Sequence, residues 1–225
     1  MQPKIISNRL RHISLACFFL PVFTVIISYL ISIKLNLVAT CIPNFEGCTS
    51  ISRVGRYEPV KFFFKPMMYF YALSIFFFWN IFLQEIKIIR IKSKYLIILT
   101  FITVIFLCLY ITFLGESKVY SFFKRIGIYF YILSIVILQF SSNKMLIINK
   151  KKLSKFFNYK IVKFNFYLSS FLVISGLILL PILIIKIDTF PQIKNIISWN
   201  YFLLIQLFFL LFFFSLKKST YPTST

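Results

Sequence analysis

The sequence predicts an all-α membrane protein: a bundle of six transmembrane helices with an ordered outer loop between spans one and two. Three observations lead there. Of 225 residues, 60% are hydrophobic and 20% aromatic, with 31 Phe. A soluble domain of that length has too small an interior for so much apolar surface. Six windows each reach the roughly 20 apolar residues needed to cross the hydrocarbon core of a bilayer. Lys and Arg, meanwhile, are concentrated in the connectors between the windows.

The windows are 13–33, 67–86, 95–114, 120–140, 164–185 and 197–216, together one membrane domain over 1–225. Hydrocarbon offers no water to backbone N–H and C=O groups, so each window must satisfy its own as a helix. The runs are too long for buried strands.

Span one follows Lys4, Arg9 and Arg11, as a signal peptide's apolar region would. Its apolar run is too long for that role and no Ala-x-Ala site follows, so it is read as a retained span. No lipidation box is evident. His12 reads as an interfacial residue, and Pro21 as a shape-setting kink that frees a carbonyl. Span two carries Asn80 and Gln84 and ends at Glu85, expected to pair with Lys87 or Arg90. Span three holds Cys108 which, like Cys17 in span one, reads as a small apolar filler. Glu116 beyond it is expected at the outer surface.

Span four begins near Lys124 and Arg125, which are expected to snorkel outward. It also repeats span two: Tyr69-Phe70-Tyr71-Ala72-Leu73-Ser74-Ile75 matches Tyr129-Phe130-Tyr131-Ile132-Leu133-Ser134-Ile135 at six of seven positions, offset by 60. Duplication of a helix hairpin and coincidence in a Phe- and Ile-rich chain are both open. Ser169, Ser170, Ser175 and Gly176 give span five a small-residue face suited to close helix contact, although no GxxxG is present. Pro181 adds a second kink. Gln139, Asn200 and Gln206 in spans four and six read as amides that tie helices together.

Counting Lys and Arg sets the orientation. With the N-terminus cytoplasmic, 16 lie inside and 10 outside. The expectation is a multi-pass integral protein with both termini cytoplasmic and segment 41–66 outside. Ala occurs only at 16, 39 and 72 while Lys, Ile, Phe and Asn abound, a bias typical of an AT-rich genome. A bacterial inner membrane is therefore the expected location. A net charge of +21 would suggest nucleic acid in a soluble protein, but here the charge lies between apolar runs and not on one polar domain, so nucleic acid is excluded as a partner.

Segment 41–66, CIPNFEGCTSISRVGRYEPVKFFFKP, is the one long stretch that is neither greasy nor simply basic. Six residues separate Cys41 from Cys48, with Gly47 to help the chain turn. A disulfide would stabilise the ordered loop by about 2–3 kcal/mol; two unpaired thiols are the alternative. No His or second Cys pair completes a zinc site, so no metal is expected. Ser50, Ser52, Arg53, Gly55, Arg56, Glu58 and Pro59 combine hydroxyls, two guanidinium forks and a flexible glycine. Such a set can hold a phosphate, a lipid headgroup or a protein partner, or can be an ordinary capped loop at headgroup level. The connector 144–163 has seven Lys and no acid. Its Lys150, Lys151, Lys152, Lys155 and Lys160 are expected at the inner leaflet, as a positive-inside anchor or as a binder of anionic headgroups.

Ser50-Ile51-Ser52, Gly55, Pro59 and Phe63, together with the six-span layout, resemble the first luminal loop of the FRAG/DRAM/Sfk family. That family includes GPI-anchor lipid-remodelling proteins and the Cwh-like N-terminal membrane domain. Many members carry Asp after the Ile-Ser pair; here Arg53 stands in its place. The resemblance implies a lipid-organising or lipid-sensing factor without catalysis, with membrane lipids, anionic headgroups foremost, and a membrane protein as its partners. No HExxH, GxSxG, phosphate-binding glycine loop or carboxylate pair within one helix is present, so no catalytic residues and no cofactor are expected. A lipid-remodelling acyl-transfer enzyme or its accessory subunit, in which Ser52 and Glu58 would act, is the alternative. A small-molecule transporter is the third reading, disfavoured because no span has a central charge or an unwound break.

Overall fold

A computed structural model describes residues 8–88, 94–116, 120–185 and 191–217, with side chains described outside 88 and 180–190. Its helices are α1 (Asn8–Lys34), α2 (Pro43–Glu46), α3 (Ile51–Val54), α4 (Val60–Ile88), α5 (Lys94–Thr112), α6 (Ser121–Ile148), α7 (Lys150–Leu153), α8 (Tyr159–Ile185) and α9 (Pro191–Ser215). No strand occurs among the described residues. Helices α1, α4, α5, α6, α8 and α9 are each long and apolar enough to cross a membrane, which makes the chain an all-α six-helix membrane bundle. Lys4, Arg90, Lys92, Lys118, Lys186 and Lys218, which enter the Lys and Arg count, lie outside the described residues, as does the side chain of Pro181.

All six long helices overrun their apolar windows at one or both ends, α5 by a single residue. Helix α4 begins at Val60 and takes in Pro66, α6 continues to Ile148, and α9 opens on Pro191. Hydropathy marks where the oil ends. A helix stops only where its backbone turns find a cap or a breaker.

The helices form a closed ring in chain order. Helix α1 packs on α4, α4 on α5, α5 on α6, α6 on α8, α8 on α9, and α9 returns to α1. Their outward faces present Phe19, Phe23, Phe70, Phe77, Phe101, Ile105, Phe171 and Phe214 to the surroundings. An apolar surface this continuous suits lipid and not water. At the α5–α6 crossing, Gly127 lies so close to Tyr110 that an added Cβ would stand 2.6 Å from the Tyr110 backbone nitrogen. Among the amides, Gln139 donates to the Ile205 carbonyl at 3.1 Å, Asn143 to the Ser169 hydroxyl at 3.2 Å and Asn165 to the Phe208 carbonyl at 3.2 Å, joining α6, α8 and α9.

Toward the end where α1 begins and α9 ends, aromatic rings fill the centre. Phe78 meets Phe209 and Phe212 edge-to-face with centroids 5.1 Å apart, and Phe82 meets Phe212 at 5.5 Å. Each such pair contributes about 0.5–1.5 kcal/mol beyond its buried area. At that same end the basic connector docks on the protein. Leu153 and Phe157 are buried in the core, and the Asn158 N–H donates to the Ser215 carbonyl at 2.7 Å. Lys150, Lys151, Lys152, Lys155 and Lys160 stay exposed.

Candidate functional site

The loop between α1 and α4 folds into a cap because nearly every turn in it has a local reason. Pro43 starts α2 with its φ already set, and Gly47 ends it in the left-handed region at φ 65°. The Glu46 carboxylate reaches back to accept the Ile42 N–H at 3.0 Å. Ser50 caps α3, its hydroxyl accepting the Arg53 N–H at 3.2 Å. Cys41 and Cys48 are joined as a disulfide, with Cα atoms 6.4 Å apart.

Helices α1 and α9 then hold the cap. Asn195 Nδ2 donates to the Gly47 carbonyl at 2.8 Å, Trp199 Nε1 to the Thr49 carbonyl at 2.9 Å, and Asn200 Nδ2 to the Asn44 carbonyl at 2.9 Å. From α1, Tyr29 Oη donates to the Cys41 carbonyl at 2.7 Å and Ser32 Oγ to the Val54 carbonyl at 3.1 Å. Side chains thus satisfy loop carbonyls that burial would otherwise leave unpaired. Gly47 is pressed against the Gln192 carbonyl with no space for a Cβ, so the loop seats directly on the start of α9.

Beneath the cap, in the centre of the ring, is a cavity of about 420 Å³ to which all six long helices contribute. Its rim carries Arg56 from the loop, Lys124 and Arg125 from α6 and Lys194 from α9. Lys124 is within electrostatic reach of the other three. Among the described residues lining the cavity there is no Asp or Glu. Ser50, Ser52, Asn195 and Ser198 add polar groups near the rim, and the wall is built from apolar and aromatic side chains including Phe64, Met68, Leu107, Ile128 and Phe202. At the floor Tyr71 Oη lies 3.0 Å from Tyr131 Oη and 3.0 Å from Gln206 Oε1, all three residues being buried. Clustered cations over an apolar shaft, with a self-satisfied polar floor, can hold an anion that carries a hydrophobic body.

The loop residues singled out in the sequence divide between two faces. Ser50, Ser52 and Arg56 line the central cavity. Arg53 points the other way, into an open depression shared with Asn36, Thr40, Cys48 and Thr49. Gly55 is buried against the Phe64 ring, where an added Cβ would lie 2.6 Å away, and its role is packing. Glu58 and Pro59 are exposed and outside the cavity lining. Lys124 and Arg125, expected to snorkel outward, stand at the cavity rim, Lys124 half-buried and Arg125 exposed.

Glu116 does not serve the cavity. It accepts Lys65 Nζ at 2.9 Å and pairs with Lys61 at 3.0 Å, while Lys65 also donates to the Thr112 carbonyl at 2.9 Å. The hydrogen bonds from Lys65 and Lys61, reinforced by their charges, hold its carboxyl down to about 2. This is a latch between α4 and the end of α5.

Sequence reasoning missed the floor, yet the signal was present. Tyr71 and Tyr131 occupy the same position in the two matching heptapeptides, and the fold brings their hydroxyls together. Tyr110, Lys194 and Tyr201 had no local signal at all.

Fold and site together define an integral, multi-pass membrane protein with a central cavity under a tied-down loop. Compared with protein-family models, curated proteins and solved structures, the chain finds no match.

Proposed function

We propose that this protein organises or senses membrane lipids without catalysing a reaction on them, by holding an anionic lipid headgroup at the rim of the central cavity. The carrying observation is the convergence of Arg56, Lys124 and Arg125 above an apolar shaft, with no carboxylate among the described lining residues. Arg56 and Arg125 are exposed and Lys124 is half-buried; like charges this close repel one another, and an anion relieves that repulsion while gaining charge-assisted hydrogen bonds. The resemblance of Ser50-Ile51-Ser52, Gly55, Pro59 and Phe63 to the FRAG/DRAM/Sfk loop points to the same class of ligand.

In this reading the loop end faces the outside and both termini face the cytoplasm, in a bacterial inner membrane. Lys150, Lys151, Lys152, Lys155 and Lys160 then meet the inner leaflet, each surface Lys adding about 1 kcal/mol of attraction to anionic lipid. A membrane protein partner would meet the exposed Arg53 face of the loop. Acyl transfer is the weaker reading. The Ser50 hydroxyl is occupied as a helix cap 3.3 Å from Ser52 Oγ, and no imidazole or carboxylate lines the cavity beside them among the described residues.

The test is native mass spectrometry of the protein released from nanodiscs containing phosphatidylglycerol and phosphatidylcholine. The wild type should retain phosphatidylglycerol adducts, and R56Q/K124Q/R125Q should lose them. Equal retention by the two proteins would overturn the reading.

A further inference from the structure

Part of the cap lies deeper along the helices than the charged residues that mark their loop-side ends. Helix α1 ends on Lys34, and α9 carries Lys194 in its first turn. Charged side chains at helix ends belong among lipid headgroups. Tyr29 and Trp199 each stand five residues inside those lysines, and their ring centroids are 5.8 Å apart, so the two lysines mark the same level.

Against that level the segment around α2 is sunk. Tyr29 Oη donates to the Cys41 carbonyl, and Tyr29 lies about 7.5 Å inside Lys34 at the rise of an α-helix. Asn200 Nδ2 donates to the Asn44 carbonyl, and Asn200 lies about 9 Å inside Lys194. Side chains lean toward the N-terminus of their own helix. That direction is deeper on α1 and shallower on α9, so the errors of the two depths have opposite sign. The headgroup zone is about 5–8 Å thick on each face of a bilayer. Residues 41–44 therefore reach the edge of the hydrocarbon.

What the segment exposes there suits lipid. Phe45, 79% exposed, is the most exposed large apolar side chain among the described residues, and Ile42 one turn before it is 58% exposed. The backbone around them is closed off. The N–H groups of Cys41, Ile42, Phe45 and Gly47 are bonded within the protein, as are the carbonyls of Cys41, Pro43 and Asn44. Irregular backbone is tolerated at membrane depth when the protein pairs it in this way. The Gly47 carbonyl meets Asn195, one residue inside Lys194, so α2 rises toward the headgroups and carries its only charge, Glu46, at its upper end.

We infer that α2 is a wedge inserted into the acyl region of the loop-side leaflet, with Ile42 and Phe45 against lipid chains. The cap over the central cavity is thereby anchored in the bilayer and does not stand free in water. The occupant of this face is the same lipid that covers the outward faces of α1 and α9. The inference depends neither on what the cavity holds nor on which side of the membrane the loop faces.

The experiment places tryptophan at the tip of the wedge, F45W, in the purified full-length protein reconstituted into phosphatidylcholine vesicles. E58W is the reference, because Glu58 is exposed and precedes Lys61 on the water side of α4. The fluorescence each variant adds to that of the buried Trp79 and Trp199 is quenched with phosphatidylcholine brominated along its acyl chains, and separately with aqueous acrylamide. Brominated lipid should quench F45W at least twofold more strongly than E58W. I42W should behave as F45W does, and it carries the test if F45W fails to fold. Brominated-lipid quenching of F45W and I42W no stronger than that of E58W overturns the insertion. Acrylamide then says what replaces it: ready quenching puts α2 in water, and protection puts it beneath a second copy of this chain.

Discussion

Removing the Tyr71 hydroxyl probes the cavity floor most directly. In the wild type it bridges two partners, Tyr131 Oη and the Gln206 amide, each within 3.0 Å. Tyr71→Phe removes the hydroxyl that both meet and leaves them only their contact with each other. Tyr131→Phe or Gln206→Leu leaves the Tyr71 hydroxyl bonded to the remaining partner. Interhelical hydrogen bonds in membrane proteins average about 0.6 kcal/mol with a maximum near 1.7. A buried group left unpaired costs about 1–3 kcal/mol, and water entering the cavity lowers that figure here. Tyr71→Phe should thus destabilise by about 1–2 kcal/mol, and each of the other two by about 0.5–1. Because Tyr71 and Gln206 meet, the double variant should cost less than the sum of the singles, with a coupling of about 0.5–1 kcal/mol. Reversible unfolding of the detergent-solubilised protein by an SDS titration measures all four species. If Tyr71→Phe proves milder than either partner's variant, or the coupling vanishes, the bridging geometry is wrong.

Two further predictions concern the loop end. Cys41 and Cys48 should resist a membrane-impermeant maleimide until reductant is added, when two thiols become reactive; labelling without reductant would refute the pairing. Glu116, held down from its ordinary 4.5 to about 2 by Lys65 and Lys61, has a folded-state value below its unfolded one. Its contribution to stability is therefore present above the ordinary carboxylate range and lost as pH falls through about 2. The carboxylate band assigned by comparison with Glu116→Gln should persist from pH 7 to pH 4 and fade only near pH 2. Titration at pH 4–5 would show that the α4–α5 latch does not form.

Composition and run length alone determined that six helices cross a membrane, since every backbone group in hydrocarbon must be paired within its own segment. Residue chemistry also marked segment 41–66, because its turn formers, cysteines and capping serine act over a few positions. Direction was another matter. Arg53 and Arg56 are three residues apart and look interchangeable in the sequence. The short helix α3 and the turn after it send one to an open depression and the other to the cavity. Tyr71 and Tyr131 were visible as repeat partners, yet nothing local says that both face inward and touch. Lys124 and Arg125 were placed at the start of span four, but a basic pair there has the same pattern whether or not it borders a cavity. Only the closure of α9 onto α1 decides these questions. It encloses a space whose walls come from residues as distant as Val25 and Gln206. Such long-range packing carries no periodicity or spacing that a single chain of letters can display.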